Sequence, residues 1–204
     1  MKRKLLLLSV MVICIAIAAV GTLAYYNTNA IAHNVITTGG VNIELHEYAD
    51  AEKTQPFKDL SGVMPGIKVT KIAEVENTGA SAAWVRVKLT PAIELADDAV
   101  LPDGFTVNTG LVKPDVNTTD WELRSDGYYY YHKALAAGET TTPVITSVTF
   151  KETMGNEYQG ATATVDIVAQ AVQKANNGDS ALTAKGWPAS GTGVVSGVVS
   201  GVTG

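Results

Sequence analysis

Apolar residues fall on every second position in run after run of this chain, and one block near the start breaks the rule. Val41, Ile43 and Leu45 alternate with Asn42, Glu44 and His46, the period of a half-buried strand. Val85, Val87 and Leu89 alternate with Trp84, Arg86 and Lys88, and Ala161, Ala163, Val165, Ile167, Ala169 and Ala171 with Thr162, Thr164, Asp166 and Gln170. The alanines of that last run suit a helix, but a period of two fits better than about 3.6. Residues 35–37, 67–75 and 144–150 read as further strands, and Trp121–Leu123 and Tyr128–His132 as a hairpin around Ser125-Asp126-Gly127. Turn signals separate the runs: Gly39-Gly40, Met64-Pro65-Gly66, Glu76-Asn77-Thr78-Gly79 and Ala136-Ala137-Gly138-Glu139. Residues 91–118, with Pro91, Pro102 and Pro114, read as a long connection with room for a short helix. Many short strands without strand–helix alternation predict an all-β, antiparallel sandwich.

The exceptional block is at the start. Met1-Lys2-Arg3-Lys4 is followed by an uncharged apolar run, Leu5 to Val20, and then by Gly21-Thr22-Leu23-Ala24. Positive end, apolar core and small residues form the order of a secretory signal helix, with cleavage marked by Thr22, Ala24 and Tyr25. Leu5–Ala24 is also 20 residues long, enough for a membrane anchor. The small residues at Thr22 and Ala24 favour cleavage. Cys14 offers a lipoprotein reading, which the bulky Ile13 before it opposes. The expected organisation is a signal peptide at 1–24, a sandwich domain at 25–175 and a C-terminal tail at 176–204. From 191 the tail is a low-complexity Gly/Val/Ser run, GTGVVSGVVSGVTG, expected to be flexible or to offer an alternating strand to a neighbour.

Composition narrows the function. Past Ala24 there is no cysteine, so a disulfide framework is excluded there. Loss of Lys2, Arg3 and Lys4 takes the formal charge from −5 to −8. An acidic chain with no basic run is a poor partner for nucleic acid.

The order of the strand and turn segments resembles a known family. Residues 21–28 are similar to the cleavage region of proteins exported with the dedicated signal peptidase SipW. "AHNVITTGGVNIEL" (32–45), "MPGIKVTKIAEVENTGASAAWVRVKL" (64–89) and "DGYYYYHKALAAGETTTPVITSVTF" (126–150) resemble the first mature strand, the Pro-Gly turn, strand, Asn-Thr-Gly turn and Val-Arg-Val strand, and the Tyr-rich hairpin of the TasA/camelysin family. The similarity covers most of residues 20–173. It implies a jelly-roll-like sandwich, secretion by a Gram-positive bacterium, and a place in biofilm matrix fibres, on spores or on the cell surface. Its implied partners are further copies of the chain, the signal peptidase, and other matrix or surface proteins. Camelysin is itself described as a metallo-endopeptidase, so the resemblance also implies a zinc-dependent protease as the alternative. The Gly/Val/Ser tail departs from the better-known members.

The chemistry of a zinc protease is hard to find. His-Glu-x-x-His puts two imidazoles and a general base on one helix face. "HEYAD" at 46–50 begins that motif and has Asp50 where the second histidine belongs. His33, Glu44, His46 and His132 remain as weak candidates for a metal, with Glu44 and His46 on one strand face. There is no nucleophile elbow and no phosphate loop. Asp97, Asp98 and Asp103 lack the spacing of a calcium loop. No catalytic residue and no cofactor is therefore expected, zinc excepted if the protease alternative holds.

Tyr128, Tyr129, Tyr130 and Tyr131 are consecutive. In a strand two enter the core and two face outward, where with Trp84 they become candidates for an exposed aromatic surface that binds glycan or a neighbour. Trp187 is placed to pin the tail to the body. The leading expectation is a fibre-forming protein assembled by strand addition, with Ile31, His33, Val35 and Ile36 of the new N-terminus as donor and the tail as a second candidate.

Overall fold

In the computed structural model, residues 40–57, 65–97, 99–189 and 194–196 are described. Every described residue belongs to one compact unit, His33–Gly204. Nine strands form among the described residues: β1 (Ile43–Tyr48), β2 (Lys68–Asn77), β3 (Ala83–Glu94), β4 (Val112–Val116), β5 (Trp121–Leu123), β6 (Tyr129–Tyr131), β7 (Ile145–Phe150), β8 (Thr162–Gln173) and β9 (Val194–Ser196). They make two antiparallel sheets, ordered β1-β2-β7-β4 and β5-β6-β3-β8-β9. Among the described residues no helix is long and apolar enough to cross a membrane.

The alternating apolar positions meet in one core. Val41, Ile43 and Leu45, Ala73 and Val75, and Val148 and Phe150 of the first sheet join Val85, Val87, Val165, Ile167 and Ala169 of the second. Each Val, Leu or Ile so buried contributes about 1.5–3 kcal/mol relative to exposure. The small inner side chains of β8 share this core with the large ones of Trp121, Tyr131, Phe150 and Tyr158. Alternating volumes let facing layers interdigitate. All-β character and a two-sheet sandwich, expected from period-two patterning, are what the chain adopts.

Residues 91–118 are more ordered than expected. β3 does not stop at Leu89 but pairs with β8 over twelve positions, through Pro91 opposite Val165, to Glu94. Proline is tolerated there because β6 flanks β3 only at Arg86 and Val87, so the missing N–H falls where one side of the strand is unpaired. β4 adds a strand at Val112–Val116, and the helical content among the described residues of 91–118 is a single 3₁₀ turn, Thr109–Leu111.

Turn chemistry fixes the registers. A Cβ at Gly79 would stand 2.6 Å from the Asn42 backbone nitrogen, so no larger residue fits between β1 and the β2–β3 turn. Buried Asn77 holds that turn. Its amide donates to the carbonyls of Ser81 and Leu135 at 2.9 and 3.0 Å, and its oxygen accepts from the Gly79 N–H at 3.1 Å. Gly127, with φ +80°, closes the β5–β6 hairpin, which follows the expected limits to within a residue or two.

Beyond β8 the chain does not leave the body. Ala181 and Ala184 are buried against Trp84, Tyr128, Tyr130 and Val172, with Trp187 packed beside them. Residues 177–189 form a strap over the outer face of the second sheet.

Candidate functional site

The expected site residues are distributed as follows. The cleavage residues Thr22, Ala24 and Tyr25 and the donor residues Ile31, His33, Val35 and Ile36 lie outside the described residues. Glu44 and His46 share the outer face of β1, where His46 Nε2 meets Glu76 Oε2 at 2.7 Å and its ring stacks on Tyr48 with centroids 6.3 Å apart. His132 follows β6 on the other sheet, 3.9 Å from Glu122. Among the described residues no group of three or more His, Cys, Asp or Glu side chains is gathered to hold a metal ion.

The aromatic candidates are corrected by burial. Trp84, Tyr128, Tyr130 and Tyr131 are 3, 2, 7 and 5 % exposed, and Tyr129 is half-buried. Tyr131 and Tyr129 pack in the main core, as alternation requires of two residues in four. Tyr128 and Tyr130 do turn outward with Trp84, but the strap covers them. They form no exposed patch.

At the centre of that covered face is Arg86, 7 % exposed. Its Nε and Nη2 donate to Gln170 Oε1 at 2.8 and 2.7 Å. Nη1 donates to Asp126 Oδ2 at 3.1 Å and to the Tyr130 hydroxyl at 2.8 Å, and Nη2 also donates to the Pro188 carbonyl at 3.3 Å. A guanidinium has five donors, and these five contacts use them all. The Tyr128 ring lies 4.0 Å and the Trp187 ring 4.7 Å from its carbon, cation–π geometry in a desolvated setting. Gln170 completes the clamp by donating to the Ala189 carbonyl at 3.1 Å. Burial alone would raise the Asp126 carboxyl, but hydrogen bonds from Tyr130 and the Tyr128 N–H and the Arg86 charge outweigh it and lower its pKa. Burial, then the bond to Asp126, raises the Tyr130 phenol. With every donor engaged inside the fold, Arg86 is a clamp that fastens the strap and has no donor to offer an anionic ligand.

The sheet edges differ sharply. Along β1 the Glu47 carbonyl accepts from Phe57 N–H and Ala49 N–H donates to the Gln55 carbonyl, both at 2.9 Å, so Pro56 bridges Tyr48 on the side opposite β2. On the β2 side, Gly79 N–H donates to the Asn42 carbonyl. In an antiparallel strand successive residues point their backbone groups to opposite sides, so Ile43 and Leu45 turn theirs to the outer edge. Among the described residues no strand pairs with that edge along Ile43–His46. At the other end of the sheet β4 is defended. Pro114 has no N–H, the register against β7 shifts between Pro114 and Val116, and Lys113 and Asp115 are exposed. In the second sheet β5 is only three residues long, and β9 covers β8 at Ile167, Val168 and Ala169.

Sequence patterning did not single out Arg86, Gln170 or Asp126. The available signal was an arginine between outward aromatics, Trp84 and Tyr128/Tyr130, with Trp187 downstream. No family model matches the chain, and no curated protein and no solved structure is significantly similar to it.

Proposed function

We propose that this protein is a secreted structural subunit of the TasA/camelysin type, with a jelly-roll-like sandwich, that assembles with copies of itself on the cell surface or in a matrix by strand addition. The supporting observation is the outer edge of β1, regular and without proline, set against the defended β4 at the far end of the same sheet. An open edge is a template for another strand, and backbone hydrogen bonds supply the affinity when one is added. The donor is the N-terminal segment of a neighbour, through Ile31, His33, Val35 and Ile36. A contact of this head-to-tail kind does not close on itself and gives filaments. Removal of the signal after Ala24 releases the donor.

The test is N-terminal sequencing and negative-stain microscopy of protein from culture medium. A start near Tyr25 and filaments are expected, with filaments lost when residues 25–34 are deleted. Filaments formed as readily by the deleted chain would exclude the N-terminal donor.

A further inference from the structure

The second sheet carries an edge of its own, and the chain itself shows what that edge accepts. β8 is twelve residues long, and among the described residues its flank away from β3 is paired at Ile167, Val168 and Ala169, opposite Ser196, Val195 and Val194 of β9. The partner sequence is repetitive. Gly193-Val194-Val195-Ser196 is followed at once by Gly197-Val198-Val199-Ser200. A slip of one residue in a strand exchanges its faces, whereas an even slip preserves them, and Gly-rich strands specify register weakly. The two units are therefore equivalent for pairing with β8.

The strap fixes where the tail departs. Gln170 holds the Ala189 carbonyl, and Val194 pairs with Ala169, the next residue along β8. Residues 190–204 add fifteen positions after that anchor, a reach of about 50 Å when extended. That exceeds what pairing with three residues of β8 uses.

We propose that the β8 flank is a docking surface for the tail of a second copy of this chain, with β9 occupying it in the single molecule and Val194–Ser200 of a neighbour replacing it on assembly. The proposal rests on the strand-addition reading above and adds a second contact, on the other sheet. The three residue pairs described are a small in-chain advantage, and exchange replaces them with the same pairs between molecules. The clamp at Arg86 and Gln170 stays within each subunit, so exchange leaves the sandwich closed.

Cross-linking of the secreted chain tests this, with Cys14→Ser so that any chain still carrying residues 1–24 adds no second thiol. An equimolar mixture of Val168→Cys and Val195→Cys chains, oxidised with glutathione, should give the mixed disulfide dimer at least fivefold above either homodimer. A mixture of Val168→Cys with Val199→Cys, one repeat further on, should do the same and guards against a misfolded variant. Statistical proportions in both mixtures would overturn the proposal. A chain carrying both Val168→Cys and Val195→Cys, oxidised as dilute monomer, should form at least tenfold fewer filaments and recover on reduction. Undiminished filaments from that locked chain would refute tail exchange while leaving the fibre reading intact. If the parent chain forms no filaments at all, that reading fails and the two mixtures still decide the tail.

Discussion

On the first sheet, His46 and Glu76 point away from the core and meet solvent; on the second, Trp84, Tyr128, Tyr130 and Val172 point away from the core and lie under residues 177–189. Both faces start from the same alternation. Glu44, His46 and Tyr48 of β1 stand opposite Glu76, Glu74 and Ile72 of β2, and the His46–Glu76 pair is 26 and 35 % exposed. Ile72 and Glu74 are covered there, Glu74 with an ion pair to Lys53. On the second sheet Trp84, Arg86, Tyr128, Tyr130, Gln170 and Val172 are all buried. The charges are treated accordingly. An exposed pair contributes little because water competes for both partners. A buried guanidinium is tolerable only with all its donors satisfied, and removal of one partner is costly. Alternation decides which residues leave the core; a segment that is not a strand decides whether they meet water.

Substitutions should separate the two faces in a definite order. Arg86→Ala should destabilise the protein by about 3 kcal/mol, read by urea denaturation, because Gln170, Tyr130 and Asp126 lose their common donor. A loss below about 1 kcal/mol would mean the covered face behaves like the wet one. Trp187→Ala should cost about 2 kcal/mol and expose Trp84 and Tyr130, seen as faster proteolysis within residues 177–189 with the strands intact. Asp126→Asn should act through pH. The Asp126 pKa is lowered in the fold, so its contribution is complete above the unfolded value near about 3.9 and fades as pH falls through the lower folded value. The parent chain should thus lose more stability than Asp126→Asn below about pH 4, and parallel acid titrations would contradict this. Smallest of all, His46→Ala on the open face should change stability by no more than about 0.5 kcal/mol.

What could be read from the sequence follows the same division. The inner faces of β1, β3 and β8 were legible because each repeats apolar residues at period two and buries them in one core. The β5–β6 hairpin was legible from Asp126-Gly127. β4 was not, because Val112-Lys113-Pro114-Asp115-Val116 is short and contains a proline; only its place at a sheet edge makes that proline acceptable. The outward tyrosines were assigned to the right side of the strand and to the wrong environment. Nothing local to Tyr128–Tyr131 reveals a cover contributed from some fifty residues downstream. Trp187 alone hinted at it, as a large aromatic beyond the last long strand. The clamp needed three distant segments, around Arg86, Asp126 and Gln170, and only the sheet order β6-β3-β8 makes them neighbours.

The strap also sets how the molecule would bear tension. A pull on the C-terminus first peels the three residue pairs of β9 from β8, a short zipper that opens one rung at a time. The load then arrives at Pro188 and Ala189, whose carbonyls are held by Arg86 and Gln170. Those two residues face each other across β3 and β8, which are paired over twelve positions. Force entering there is spread along the longest ladder in the fold and bypasses the first sheet, so the tail yields early and the body late.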